Sequence, residues 1–119
     1  MDETQHSYRL ILAILQNDDY EDTVEELNEN GIFVTKLSSS GGFLKKDNVT
    51  IMIGVEKDRL ADVMELLKKN AGKRKQTYYA LPTPVNGEHY MGPGLPVPIE
   101  RETGGVTVFT LAMDEIKKM

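Results

Sequence analysis

The amino-acid sequence predicts an α+β fold in a single domain. Its 119 residues suit one hydrophobic core. Four segments have the composition of β-strands, and two have apolar residues at the spacing of an amphipathic helix. These segments follow one another in the order β-α-β-β-α-β. We expect residues 1–7, which are mainly polar, to be a disordered leader and residues 8–119 to form the domain.

The first predicted strand runs from Tyr8 to Gln16 and is apolar on both faces. Its two alternating sets are Leu10, Leu12 and Ile14, and Ile11, Ala13 and Leu15. Such a strand is expected to be covered on both sides of its sheet. The first predicted helix follows the polar residues 17–19 and ends at Gly31, because glycine readily adopts the left-handed conformation that ends a helix.

Three further strands and a second helix complete the pattern. Residues 32–37 are rich in β-branched and aromatic side chains, and residues 49–55 have apolar side chains at alternate positions. Residues 56–70 carry the apolar stripe of a second helix, which Gly72 ends. The last predicted strand is 105–113, and a short polar tail follows it.

The segment from Gln76 to Thr103 differs from the rest because it holds all five prolines of the chain. Proline disrupts the interior of helices and of central strands. The segment therefore predicts a long loop, with a ribbon at the edge of the domain as the alternative. A loop of this length in a compact domain is commonly functional.

The predicted order of elements is that of the ferredoxin-like fold. In this fold a four-stranded antiparallel sheet carries both helices on one face. A monomer would leave the other face open, yet the first, third and last predicted strands have apolar residues on both faces. A symmetric oligomer would cover that face.

Composition excludes several classes of protein. The net charge of −5 argues against a DNA- or RNA-binding surface. The absence of cysteine from the sequence excludes disulfides, thiol catalysis and cysteine-based metal sites. No apolar run approaches the length of a membrane span. We expect a cytoplasmic protein.

The sequence predicts neither an enzyme nor a metal site. His6 and His89 are the only histidines and lie in predicted irregular segments. Residues 38–40 are serines without a nearby base. Glu25 and Glu26 lie on the polar face of the first helix, where solvation is a better explanation than general acid–base catalysis.

A glycine-rich turn between the second and third strands has the residues of a nucleotide site. Gly41 and Gly42 let backbone amides approach an anion closely. Phe43 offers a flat surface on which a base can stack, and Asn48 can pair with an adenine edge. Spacing alone favours the plainer alternative, a hairpin turn whose phenylalanine packs on the core.

Several of these residues together resemble the PII-like cyclic-di-AMP receptors. The similar positions are Gln16, the run TKLSSSGGFL at 35–44, Asn48, IGVE at 53–56 and GGVTVF at 104–109. The resemblance extends from Leu10 to about Phe109. It implies a homotrimer with ligand sites in the clefts between subunits, together with a short loop after the second strand and an enlarged loop before the last.

The resemblance also implies which residues contact the ligand. They are Thr35, Gly42, Phe43, Leu44, Asn48 and Gly54, and we add Gly41 for its backbone amide. One position departs from the family pattern, because members commonly carry arginine where this chain has Phe33.

We therefore predict a receptor that binds cyclic-di-AMP, needs no cofactor, and relays the ligand to an unknown protein partner through loop ordering. Two alternatives remain at this stage. One is a PII-like sensor of another adenine nucleotide, which the loss of a cation at Phe33 would favour. The other is a trimeric interaction module without a ligand.

Overall fold

The computed structural model describes residues 7–37, 47–80 and 95–119. The helices and strands of these ranges are β1 Tyr8–Gln16, α1 Tyr20–Glu29, β2 Val34–Leu37, β3 Asn48–Glu56, α2 Leu60–Ala71, β4 Arg74–Ala80, β5 Val97–Thr103 and β6 Val106–Met113. They divide between two compact units. A sheet–helix unit comprises Met1–Lys73 and Gly104–Met119, and a ribbon unit comprises Arg74–Thr103.

The sheet–helix unit contains a four-stranded sheet in the order β2-β3-β1-β6. All three strand pairs are antiparallel. Along the two central strands, Tyr8 lies opposite Glu56 and Gln16 lies opposite Asn48. This mixed architecture of two helices and an antiparallel sheet is consistent with the predicted ferredoxin-like α+β fold.

One face of the sheet, the helix-covered face, forms the core. Alternate residues of the two central strands are buried there: Ile11, Ala13 and Leu15 of β1, and Val49, Ile51, Ile53 and Val55 of β3. Leu27 of α1 and Val63 and Leu67 of α2 belong to the same buried cluster. Because both helices pack into this one cluster, they lie on the same side of the sheet. Each large aliphatic side chain buried here contributes about 1.5–3 kcal/mol.

The opposite face, the open face, is formed by the even-numbered residues of β1 and β3 and by their partners on the edge strands. Across its middle, Leu12 lies between Met52 of β3 and Phe109 of β6. Phe109 is 52% exposed and Leu111 is 48% exposed. Large apolar side chains therefore meet solvent on this face.

The ribbon unit corrects part of the sequence prediction. The segment 76–103 was predicted as a long loop, but residues 76–80 and 97–103 lie in paired strands, as in the alternative of a ribbon. β4 and β5 pair from Arg74 opposite Thr103 to Ala80 opposite Val97. Pro98 fits because both strands of a two-stranded ribbon are edges, where proline is tolerated. The central residues 81–94 lie outside the described ranges.

The helix ends show both an agreement and a difference. Gly31 has a φ of +75°, and its amide donates to the Asn28 carbonyl while that of Ile32 donates to the Leu27 carbonyl. This is the glycine-ended helix that the sequence predicts. The second helix begins at Leu60 instead of residue 56, because a 3-10 turn at Lys57–Arg59 precedes it. Within the described ranges, neither helix is long and apolar enough to span a bilayer.

Candidate functional site

Three of the predicted ligand residues are described, and all three lie on the open face. Thr35 of β2 is opposite Met52 of β3, so the two side chains point to the same side. Asn48 and Gly54 are an even number of residues from Met52 along β3, so they face the same side of the sheet as Met52. The strand register thus directs Thr35, Asn48 and Gly54 away from the helices.

The register brings only two of these residues together. Gly54 is the diagonal neighbour of Thr35, at a typical separation of about 7–8 Å. Asn48 is at the other end of β3, about 20 Å from Gly54 at the usual rise of a strand. One subunit therefore presents two separate groups of candidate residues, which we name the Asn48 end and the Gly54 end.

The Asn48 end holds a second amide side chain. Gln16, the last residue of β1, lies directly opposite Asn48. The Gln16 side-chain oxygen accepts a hydrogen bond of 3.1 Å from the Gly104 amide, which fixes the strand end against the start of β6. Gln16 belongs to the pattern that resembles the receptors but was not predicted as a site residue. Pairing the two strands end to end would have identified it.

The Gly54 end contains a pocket of about 160 Å³. Phe33, Gly54, Arg59 and Ile116 are among the residues that line it. A Cβ atom on Gly54 would lie 3.1 Å from Ile116 Cδ1, so glycine allows the tail after β6 to approach the strand closely. Phe33 is 74% exposed.

The Gly54 end also carries positive charge. The Lys118 ammonium lies 4.3 Å from the centroid of the Phe33 ring, a distance at which a cation is attracted to an aromatic face. The Arg59 guanidinium lines the pocket and donates a hydrogen bond to the Asn30 carbonyl. Sequence reasoning missed Lys118, because the contact depends on the path of the tail and no local pattern encodes that path.

The other four predicted ligand residues, Gly41, Gly42, Phe43 and Leu44, lie outside the described residues. His6, His89 and the serines at 38–40 lie outside them as well. In the part of the chain that is described, no group of three His, Asp or Glu side chains is arranged to hold a metal ion.

The sequence model of the cyclic-di-AMP receptor family matches residues 8–119. The chain belongs to the cyclic-di-AMP receptor family. This confirms the family resemblance that the sequence indicated. Receptors of this family bind cyclic-di-AMP as a ligand, and no cofactor is indicated.

A solved structure is also similar to this chain. It is the crystal structure of a functionally unknown protein from Pediococcus pentosaceus ATCC 25745, with 31% sequence identity and a TM-score of 0.70. The similarity covers 94% of this chain and 97% of that chain. The likeness therefore extends over both the sheet and the helices.

Glu26, a carboxylate within the described ranges, has a structural role. Glu26 of α1 forms an ion pair of 2.7 Å with Lys69 of α2 and accepts a hydrogen bond from Asn70. The hydrogen bonds from Lys69 and Asn70 lower the pKa of Glu26. Glu26 thus links the two helices as an ionised group, on the side of the sheet away from Thr35 and Asn48.

Proposed function

We propose that this protein is a cytoplasmic homotrimeric receptor that binds cyclic-di-AMP in the clefts between its subunits. The ligand signal would reach a protein partner through ordering of the loops. One observation carries the proposal: in a member of the cyclic-di-AMP receptor family, the described candidate residues all face the side of the sheet that the helices leave open.

The open face supports the trimer. A row of large side chains crosses the sheet through Met52, Leu12 and Phe109. Phe109 and Leu111 are about half exposed there, and exposed apolar surface on a sheet face is a common sign of an interaction between proteins. Packing against copies of the same chain would remove it from water, and closed symmetry would leave no subunit uncovered.

The distance between the two ends of β3 supports a site shared by subunits. A ligand that contacts both Asn48 and Gly54 would have to extend about 20 Å along one strand. A cleft in which the Asn48 end of one subunit meets the Gly54 end of the next subunit would bring both groups to one ligand. In a ring of three, this arrangement would produce three equivalent clefts.

The two ends offer different chemistry to a cyclic dinucleotide. The Asn48 amide has the donor and acceptor that pair with an adenine edge. At the other end, the missing side chain of Gly54 exposes backbone, and Thr35 adds a hydroxyl. Arg59 and Lys118 supply positive charge for phosphate. The Gly54 end therefore has positively charged side chains, although position 33 is a phenylalanine instead of the arginine common in the family.

The glycine-rich turn is proposed to complete the site. It joins β2, which ends at Leu37, to β3, which begins at Asn48, so both of its ends adjoin candidate residues. By the family resemblance, Phe43 would stack on a base, Gly41 and Gly42 would present backbone amides, and Leu44 would contact the ligand.

Calorimetric titration with cyclic-di-AMP, with ATP and cyclic-di-GMP as controls, tests the proposal. We expect saturable heat with cyclic-di-AMP, one ligand per subunit and a trimer mass by light scattering. Heat with ATP alone would replace the proposal with a sensor of another adenine nucleotide. A trimer that binds none of the three nucleotides would support the alternative of an interaction module without a ligand.

A further inference from the structure

A shallow, wide-open groove between two rows of side chains on the outer surface of α1 plays no part in the proposed ligand site. It is lined by Tyr20, Glu21, Val24, Glu25, Asn28 and Glu29 and has a volume of about 560 Å³. Tyr20 and Val24 are half-buried, and Tyr20 packs against the core cluster. The groove therefore has an apolar floor that is anchored to the core, with carboxylates around it.

The charges that α1 contributes to the groove have a single sign. Every charged residue of α1 is acidic: Glu21, Asp22, Glu25, Glu26 and Glu29. Glu26 pairs with Lys69 of α2. Within the described ranges, no ion pair forms at the other three glutamates, which are the ones that line the groove. Among the described residues, no cation of the chain neutralises these three carboxylates by an ion pair.

The same carboxylates lower the stability of α1, the helix that carries them. Glu21, Glu25 and Glu29 are spaced four residues apart, so neighbouring charges on one side of the helix repel. Glu29 is at the C-terminal end of α1, where the helix dipole favours a cation, and the last turn contains no basic residue. Departures from local stability of this kind are expected at functional surfaces.

The aromatic floor already holds a cation from the chain itself. The Lys36 ammonium lies 5.0 Å from the centroid of the Tyr20 ring. Lys36 belongs to β2, next to Thr35, and alternate residues of a strand face opposite sides. The groove therefore accepts an ammonium group against its aromatic residue, and it adjoins the strand that carries a candidate ligand residue on its other side.

We propose that this groove docks a basic amphipathic segment of a partner protein. Apolar side chains of the segment would pack on Tyr20 and Val24, and its lysines or arginines would pair with Glu21, Glu25 and Glu29. Laying one amphipathic element into such a groove is a common mode of peptide recognition. α1 is on the covered side of the sheet, so the proposed trimer contact through the open face leaves the groove accessible.

A labelled synthetic peptide of leucine and lysine, with the leucines at helical spacing, serves as the probe. Its binding to the full chain is followed by fluorescence anisotropy, beside a scrambled peptide of the same composition. Glu25→Lys should weaken binding of the helical peptide by about tenfold, because an attraction at the rim becomes a repulsion. Glu65→Lys, the same charge change at an exposed position of α2, should leave it nearly unchanged.

Thermal unfolding of the same variant separates lost docking from lost folding. Glu25→Lys replaces repulsion with attraction towards Glu21 and Glu29, so its Tm should equal or exceed that of the wild type. Three results would overturn the proposal: no binding of the helical peptide, equal binding of the scrambled peptide, or equal losses in the two charge variants. A change in assembly mass with Glu25→Lys would assign the groove to a second copy of the chain instead. None of these results depends on cyclic-di-AMP binding.

Discussion

The helix-covered face and the open face alternate along the same strands of the sheet. On β3, Ile51 and Ile53 are fully buried under the helices, while Met52 between them is half-buried and Gly54 is exposed. Both faces carry large apolar residues, but within the described part of the sheet–helix unit the two helices cover only one of them. The comparison teaches that the covered face stabilises the single subunit, whereas the open face is available for assembly and recognition.

The largest effect is expected on the open face, where we propose that another subunit packs. Phe109→Asp would place a carboxylate in the proposed trimer contact, at a cost of several kcal/mol for each buried charge. We expect light scattering to show a monomer. Thr110→Asp, at an exposed neighbouring position that points the other way, should remain trimeric. A trimer mass for Phe109→Asp would remove this face from the assembly.

Truncating a core side chain measures how much the helix-covered face contributes to stability. Ile53→Ala should lower the free energy of unfolding by about 2–5 kcal/mol, because it leaves a cavity beneath the helices. Met52→Ala, one residue away on the open face, should cost clearly less at low protein concentration, where assembly adds little stability. Denaturant unfolding measures both variants. Equal losses would mean that the two faces do not differ in the way described.

An effect of intermediate size is expected from a substitution in the candidate ligand site. Asn48→Ala should weaken cyclic-di-AMP binding by about 1–3 kcal/mol, the range by which a bidentate side-chain contact discriminates between base edges. The control is Asn28→Ala, which removes an exposed amide from α1 on the covered side of the sheet. Calorimetry should show normal affinity for the control. Unchanged affinity in Asn48→Ala would remove this residue from the site.

The smallest effect concerns the ion pair between the helices. Because the pKa of Glu26 is lowered in the folded state from its ordinary value of 4.5, its contribution is present above that value. The contribution is lost as the pH falls through the folded-state pKa. Glu26→Gln should therefore reduce the stability difference between neutral and acidic solution. Glu25→Gln is the control, because no ion pair of Glu25 is described. It should leave the stability difference between neutral and acidic solution unchanged. Unfolding curves measured across this pH range test both variants.

The sequence predicts the sheet–helix unit well because its signals are local. β1 has the bounds Tyr8–Gln16 that its apolar pattern indicates, and Gly31 ends α1 as glycine should. β4 and β5 were predicted mainly as a loop, because their pairing joins residues far apart in the chain. Nothing in the local composition of a proline-rich segment specifies such a pairing.

The sequence indicated part of the candidate site. Family motifs indicated Thr35, Asn48 and Gly54, and confirmed membership of the family supports cyclic-di-AMP as ligand. Their grouping into two ends depends on strand register, which composition does not reveal. Gln16 reaches the Asn48 end through cross-strand pairing, which end-to-end pairing of the predicted strands could have indicated. Lys118 reaches the Gly54 end through the tail, which only the tertiary structure reveals.

β2 has a consequence for how this protein can change during evolution. The strand is four residues long, and its adjacent residues Thr35 and Lys36 face opposite sides of the sheet. An insertion of one residue between Gly31 and Thr35 would turn every later side chain of the strand to the other side. Lineages of this protein should therefore accept substitutions within β2 while excluding single-residue insertions and deletions there, and length variation should accumulate elsewhere in the chain.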